Sequence, residues 1–205
     1  MDQDLLERQR QPLLIVISGP SGVGKDTVVH RMRERRLPFR FVVTATSRPR
    51  RDDETDGVDY VFLTREEFEG MVAHGELLEH AVVYGQFKGI PRQHVREALA
   101  TGQDVVFRID VQGAETVRRL CPEALLIFLT TRDDDELARR LRNRCTESSE
   151  SLALRMATAR REYEKLSLFD YVVVNADGEL DLAVNTIEAI IRAEHHRTRP
   201  RRVSL

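Results

Sequence analysis

Short apolar runs, bounded by glycine, proline and charged residues, recur along the chain at 13–17, 41–44, 104–110, 124–130 and 170–175. Runs of this length without polar alternation suit strands that are covered on both faces, as in a parallel sheet. Helical spacing of apolar positions fills the gaps at 27–36, 92–101, 112–120, 133–144, 149–165 and 180–195. Strands alternating with helices predict an α/β fold, a largely parallel sheet flanked by helices. Acids at 133–135 and arginines at 139–144 lie along the dipole of one predicted helix, so part of the charge there needs no functional explanation.

Between the second run and the helix at 92 the pattern changes. Segments 60–63, 77–84 and 86–90 predict short antiparallel strands, and Thr64 opens a helix with Glu66 and Glu67 in its first turn and Phe68, Met71 and Val72 on one face. This stretch reads as a small lobe inserted into the main sheet.

Composition narrows the picture further. A chain of 205 residues can bury one sizeable core. Its 32 Lys and Arg against 34 Asp and Glu leave a net charge of −2, so no global basic field recruits nucleic acid. Cys121 and Cys145 are isolated, without C-x-x-C spacing, which suits a reducing cytoplasm. No apolar run approaches the ~18 residues of a membrane span or resembles a secretory leader, so the expected protein is soluble and cytoplasmic, with no membrane partner. The 6 histidines lack ligand spacing and predict no protein-built metal site.

The first candidate chemistry follows the first strand: Gly19-Pro20-Ser21-Gly22-Val23-Gly24-Lys25-Asp26-Thr27. Glycines at this spacing let backbone N–H groups line a concavity for phosphate, the next helix adds its positive dipole end, and Lys25 reaches the outer phosphates. Asp26 stands where the pattern has Ser or Thr. A second anion site is offered by Thr44, Arg48, Arg51 and Tyr60, since guanidinium groups grip phosphate by paired hydrogen bonds and a tyrosine hydroxyl can complete the shell. Taken alone, the same arginines equally suit an exposed turn balanced by Asp52, Asp53 and Glu54.

Together these segments resemble guanylate kinase, whose second motif runs T-T-R-x-P-R-x-G-E-x-x-G-x-x-Y. The resemblance places Arg48, Arg51 and Tyr60 on its phosphate-binding positions and Thr44 on a hydroxyl position facing the base. Proline is displaced to Pro49 and Asp53 replaces a glycine. Leu78-Glu79-His80-Ala81 and the segment from Tyr84 to Arg92 are similar to the family's L-E-x-A and Y-G-N-x-Y-G-[ST]-x-R, which makes Glu79 the base reader. One carboxylate can accept both the N1–H and N2–H of guanine, whereas adenine lacks that donor pair. Lys88 replaces a tyrosine and Ile90 a hydroxyl of that pattern.

Farther on, Arg108-Ile109-Asp110-Val111-Gln112-Gly113-Ala114 resembles D-I-D-x-Q-G-A, with Asp110 on the second acid, Gly113 beside it and Arg108 replacing the first acid. Arg140, Arg144 and Arg155 match the arginines of the lid, where Cys145 replaces a glycine, and Asn175 matches a residue near the donor adenine.

Five motifs in order imply Mg²⁺-dependent transfer from ATP to GMP, yielding ADP and GDP for purine nucleotide metabolism. Lys25, Arg48, Arg140, Arg144 and Arg155 would stabilise the transferring group; residues 19–27 and Asn175 would bind ATP; Thr44, Arg48, Arg51, Tyr60, Glu79, Lys88, Asp110 and Gly113 would bind GMP. With the usual hydroxyl missing, Asp26 is expected to hold the metal, directly or through water, with Arg108 rebalancing its charge; Thr27 is the alternative hydroxyl donor.

The implied organisation is one domain over 11–196, with core 11–43, 92–138 and 166–196, a GMP-binding lobe over 44–91, a lid over 139–165, and flexible ends at 1–10 and 197–205. Monomer and homodimer both fit. Two other readings compete: a kinase for a different phosphorylated acceptor such as ribose 1,5-bisphosphate, and a non-catalytic module that binds phosphorylated peptides.

Overall fold

The computed structural model describes residues 11–52, 54–83, 85–144 and 149–203. Its main sheet has five parallel strands in the order β2-β7-β1-β8-β9. At its centre, β1 (Leu14–Ser18) is buried along its whole length, with β7 (Asp104–Arg108) on one side and β8 (Leu125–Thr130) on the other. β2 (Phe39–Phe41) and β9 (Tyr171–Val174) form the edges.

Alternate residues of β1 serve opposite cores, which is why its sequence shows no polar face. Ile15 and Ile17 pack with Val28 and Met32 of α1 (Lys25–Glu34) and with Ile187 and Ile191 of α7 (Leu180–His195). Leu14 and Val16 pack on the other side with Val95 of α3 (Arg92–Ala100) and Val117 of α4 (Val111–Leu120). The result is a helix–sheet–helix sandwich.

The run expected as one strand at 41–44 is divided. β2 ends at Phe41 in the main sheet, and β3 (Thr44–Thr46) begins the second sheet, of order β4-β3-β6-β5. β5 (Leu77–Val83) and β6 (Gln86–Pro91) form the antiparallel hairpin, but β4 (Tyr60–Phe62) pairs parallel with β3, where an antiparallel strand was expected. The connection from 47 to 59 is long enough to return to the starting edge, as parallel pairing requires. α2 (Arg65–Ala73) closes the lobe; Thr64 and Glu67 form a reciprocal capping box at its start, and its Phe68 packs against Ala45 and Leu77.

The lid comprises α5 (Asp134–Arg144) and α6 (Ser149–Tyr163), followed by a 3₁₀ turn at Leu166–Leu168. Cys145 and the side chain of Arg144 lie outside the described residues. The arginine-rich end was expected to be free from 197 onward, yet Arg201 is buried. Its guanidinium bonds Glu194 at 2.7 Å and the carbonyl of Ala124 at 3.2 Å and lies 3.4 Å from Asp170. Buried Glu194 requires that countercharge, and it also accepts from Tyr171 and Arg197. Among the described residues no helix is long and apolar enough to cross a membrane.

Candidate active site

The carboxyl end of β1 and the facing lobe bound a cleft of about 610 Å³. Ligands of open parallel sheets bind beyond such strand ends. Ser21, Gly22, Gly24, Lys25 and Asp26 line it from the β1–α1 loop, and Arg48, Pro49, Arg51, Tyr60 and Lys88 from the lobe. Asp110 lies at its floor, and Leu154, Arg155 and Glu162 of α6 close it from the lid. Residues distant in sequence thus converge on one polar space.

The helix expected from 27 begins at Lys25, so the lysine occupies its first turn. Gly24 caps it with φ +91°, and a Cβ there would lie 2.4 Å from Asn175 Nδ2. Lys25 Nζ donates to the carbonyls of Gly19 (2.6 Å) and Pro20 (2.9 Å), which folds the loop around the ammonium. Burial pulls its pKa down to about 8, with the Glu162 carboxylate opposing. Pro20 and Val23 are buried behind the cleft, and Thr27 is exposed outside it.

Asn175 and Arg140 hold the loop from behind. Buried Asn175 Nδ2 donates to Val23 O at 2.9 Å, and Arg140 donates to the same oxygen at 3.3 Å and to Asn175 O at 2.8 Å. Arg140 also pairs with Glu136 and Asp177. Neither side chain lines the cleft, whereas Arg155 does.

On the acceptor side, the buried Arg48 guanidinium pairs with both oxygens of Glu54 and lies 4.8 Å from the Tyr60 ring centroid. Although burial works against it, hydrogen bonds from Arg48 and the Arg51 amide hold the Glu54 carboxyl below the usual carboxylate range. Unlike exposed Asp52, Glu54 therefore has a distinct task, orienting Arg48; its burial is the distinguishing feature, and spacing does not reveal it. Arg51 is exposed at the mouth.

Deeper in the lobe, Thr44 is buried and donates to the carbonyl of Arg108 at 3.4 Å. Glu79 is only 6 % exposed, and burial, then the Asp110 carboxylate, push its pKa up to about 8. Gly113 makes room for it, since a Cβ at 113 would lie 2.8 Å from Glu79 Oε2. Asp110 caps α4 by accepting from the Gly113 amide at 3.0 Å. Burial lowers the Lys88 ammonium pKa, with Asp110 and Asp26 opposing.

Asp26 meets Arg108 directly, at 2.9 Å. The same guanidinium donates to Asp59 O at 2.6 Å and lies 4.2 Å from the Tyr60 ring centroid, while the Tyr60 hydroxyl donates to Asp26 Oδ1 at 3.4 Å. Glu162 had no part in the sequence reading. Its Oε2 is buried without a hydrogen-bond partner among the described residues, and burial raises its pKa to about 7, with Lys25 opposing.

The guanylate kinase family model matches residues 11–194, almost the whole chain. This chain belongs to the guanylate kinase family. It is 50 % identical over 196 residues to guanylate kinase 2, chloroplastic/mitochondrial, of Oryza sativa subsp. japonica, covering 95 % of this chain and 69 % of the rice protein. It is also similar to the crystal structure of guanylate kinase from Anaplasma phagocytophilum, with a TM-score of 0.75 and 30 % identity over 91 % of this chain and 88 % of that one. Within a guanylate kinase fold, the loop at Lys25 and the cluster around Arg48 face one another across a single cleft.

Proposed function

We propose that this guanylate kinase transfers the γ-phosphoryl group of ATP to the phosphate of GMP, giving ADP and GDP. The observation that carries the reading is the convergence of the Lys25 loop, the Arg48–Tyr60 cluster, Asp110 and Arg155 on one cleft. An acceptor phosphate oxygen is already nucleophilic at neutral pH, so the protein needs no general base. Its work is to align two anions and to neutralise the charge that spreads over the moving group.

In this reading the loop amides and Lys25 hold the donor phosphates. Arg48, kept in place by Glu54, grips the acceptor phosphate with Arg51 and Tyr60, and Lys88 adds charge beside them. Glu79 accepts the paired N–H donors of guanine, with Asp110 and Thr44 alongside. Arg155, and Arg144 from the neighbouring lid helix, stabilise the transferring group. Arg140 and Asn175 act by holding the loop through Val23 O.

Among the described residues no group of three or more His, Cys, Asp or Glu gathers as a metal cage. Mg²⁺ suits a different site, one or two carboxylates combined with substrate phosphates. Asp26 meets that description: a hard oxygen donor beside Lys25, its side chain 35 % exposed and lining the cleft. Bound there, the ion would neutralise phosphate charge. Buried, unpaired Cys121 supports a reducing compartment such as the cytoplasm.

The test is ADP release with GMP, dGMP, AMP, UMP and ribose 1,5-bisphosphate as acceptors. Turnover with GMP and dGMP well above that with AMP, UMP and ribose 1,5-bisphosphate is expected; no turnover with GMP would remove the reading.

A further inference from the structure

Arg108 ends β7, beneath both halves of the cleft, with its side chain only 10 % exposed. Its three contacts belong to different parts of the molecule. Nη1 pairs with Asp26, the residue after Lys25 in the first turn of α1; Nη2 donates to the backbone of Asp59; and the guanidinium plane lies against the Tyr60 ring. The first contact is on the donor side and the other two are in the acceptor lobe. The Tyr60 hydroxyl donates to Asp26 Oδ1, the atom that also faces Arg108 Nη1.

That arrangement commits two donor groups, from Arg108 and Tyr60, to one carboxylate. A buried cation and a buried hydroxyl cannot serve Asp26 and an acceptor phosphate equally well, because each has a limited number of protons in fixed directions. Whatever draws Asp26 away returns both groups to the lobe. Negative charge at Lys25 repels the adjacent carboxylate, and a divalent cation beside it attracts the same group. Both effects of a loaded donor site weaken its hold on Arg108 and Tyr60.

We propose that Arg108 and Asp26 form a clasp that makes acceptor affinity depend on donor occupancy: with the donor site empty, Asp26 holds the Tyr60 hydroxyl and the Arg108 charge, and with it full, Tyr60 turns its hydroxyl to the acceptor phosphate while Arg108 settles against the Tyr60 ring and the Asp59 backbone. Arg108 is here a positioning residue, acting through Tyr60 and the Asp59 backbone. The inference rests on the reading of Tyr60 as part of the acceptor-phosphate site.

Calorimetric titration of GMP into the full-length protein, with and without saturating Mg·ADP, tests it without turnover. For the wild type, Mg·ADP should lower the Kd for GMP by about fivefold or more, the lower end of ordinary coupling between sites. Asp26→Asn keeps the shape of the side chain and removes its charge. It should bind GMP without ADP about as tightly as the wild type does with it, so that the ratio of the two Kd values falls to within about twofold of one.

Arg108→Gln should also abolish the ratio, and the double variant should go no further than either single one, as expected for two groups in one interaction. A purely structural clasp would change melting temperature and leave the ratio intact. A wild-type ratio of one or less, or an Asp26→Asn protein that keeps the wild-type ratio, overturns the proposal, and the second criterion holds even if Arg108→Gln does not fold. Failure of GMP to bind at all would instead count against the functional reading.

Discussion

Two groups, Lys25 in the phosphate loop and buried Glu79 in the lobe, are poised near the same pH and need opposite protonation states in the proposed reaction. In the proposed reaction Glu79 accepts from guanine as a carboxylate, yet burial and Asp110 push its pKa up to about 8, so at neutral pH the empty lobe holds it largely protonated. Accepting two N–H donors favours the charged form, so GMP binding should expel a proton. Lys25 must be charged to hold phosphate, and burial draws its pKa down to about 8. Between pH 7 and pH 8, KM for GMP should fall by about fivefold, as the ionised fraction of a group with pKa about 8 rises from about a tenth to about a half. KM for ATP should rise once the pH exceeds about 8. Initial rates across this range, where the GMP phosphate is already dianionic, would separate the two trends. Glu79→Gln should abolish the first and preserve the second; a GMP trend that survives in that variant would mean another group is titrating.

At the scale of elements, the phosphate loop is shaped by partners outside it. Val23 O is held by Asn175 from the end of β9 and by Arg140 from α5, so the loop is braced by the last strand and the lid helix together. Asn175→Ala should raise KM for ATP by roughly tenfold, as expected from the loss of a buried hydrogen bond of about 1–2 kcal/mol, with KM for GMP little changed. Equal effects on both substrates would show the brace to be general.

The strands that build this frame were legible because burial on both faces leaves uninterrupted apolar runs, and cleft-lining residues such as Lys25, Arg48, Tyr60 and Arg155 because motif spacing is local. The division at 41–44 was not legible, since an apolar run does not record which sheet a residue joins. The tasks of Glu54 and Arg140 were hidden for a related reason. A charged residue looks the same in sequence whether it faces substrate, solvent or another side chain, and only burial and distance separate Glu54, held against Arg48, from exposed Asp52.

For the whole molecule, the C-terminal segment is part of the folded body. Composition suggested a solvated tail because 197–205 is dominated by arginine, and composition carries no information about a buried acid waiting elsewhere. Arg201 supplies the countercharge for Glu194, while Val203 packs against the same core as Leu99 and Phe169. Arg201→Ala should destabilise the protein by about 3 kcal/mol, within the range for breaking a buried ion pair, as read from urea unfolding. A loss under about 1 kcal/mol would show that Tyr171 and Arg197 suffice for Glu194.

The brace on the phosphate loop also orders events during synthesis. The residues that hold Val23 O lie 117 and 152 positions later in the chain, and the neighbours of β1 in the sheet come from β7 and β8. The loop therefore leaves the ribosome long before the residues that give it its shape. Nucleotide should therefore stabilise the emerging chain through this site only weakly until β9 has been made, and a chain truncated before Asn175 should gain little from added ATP.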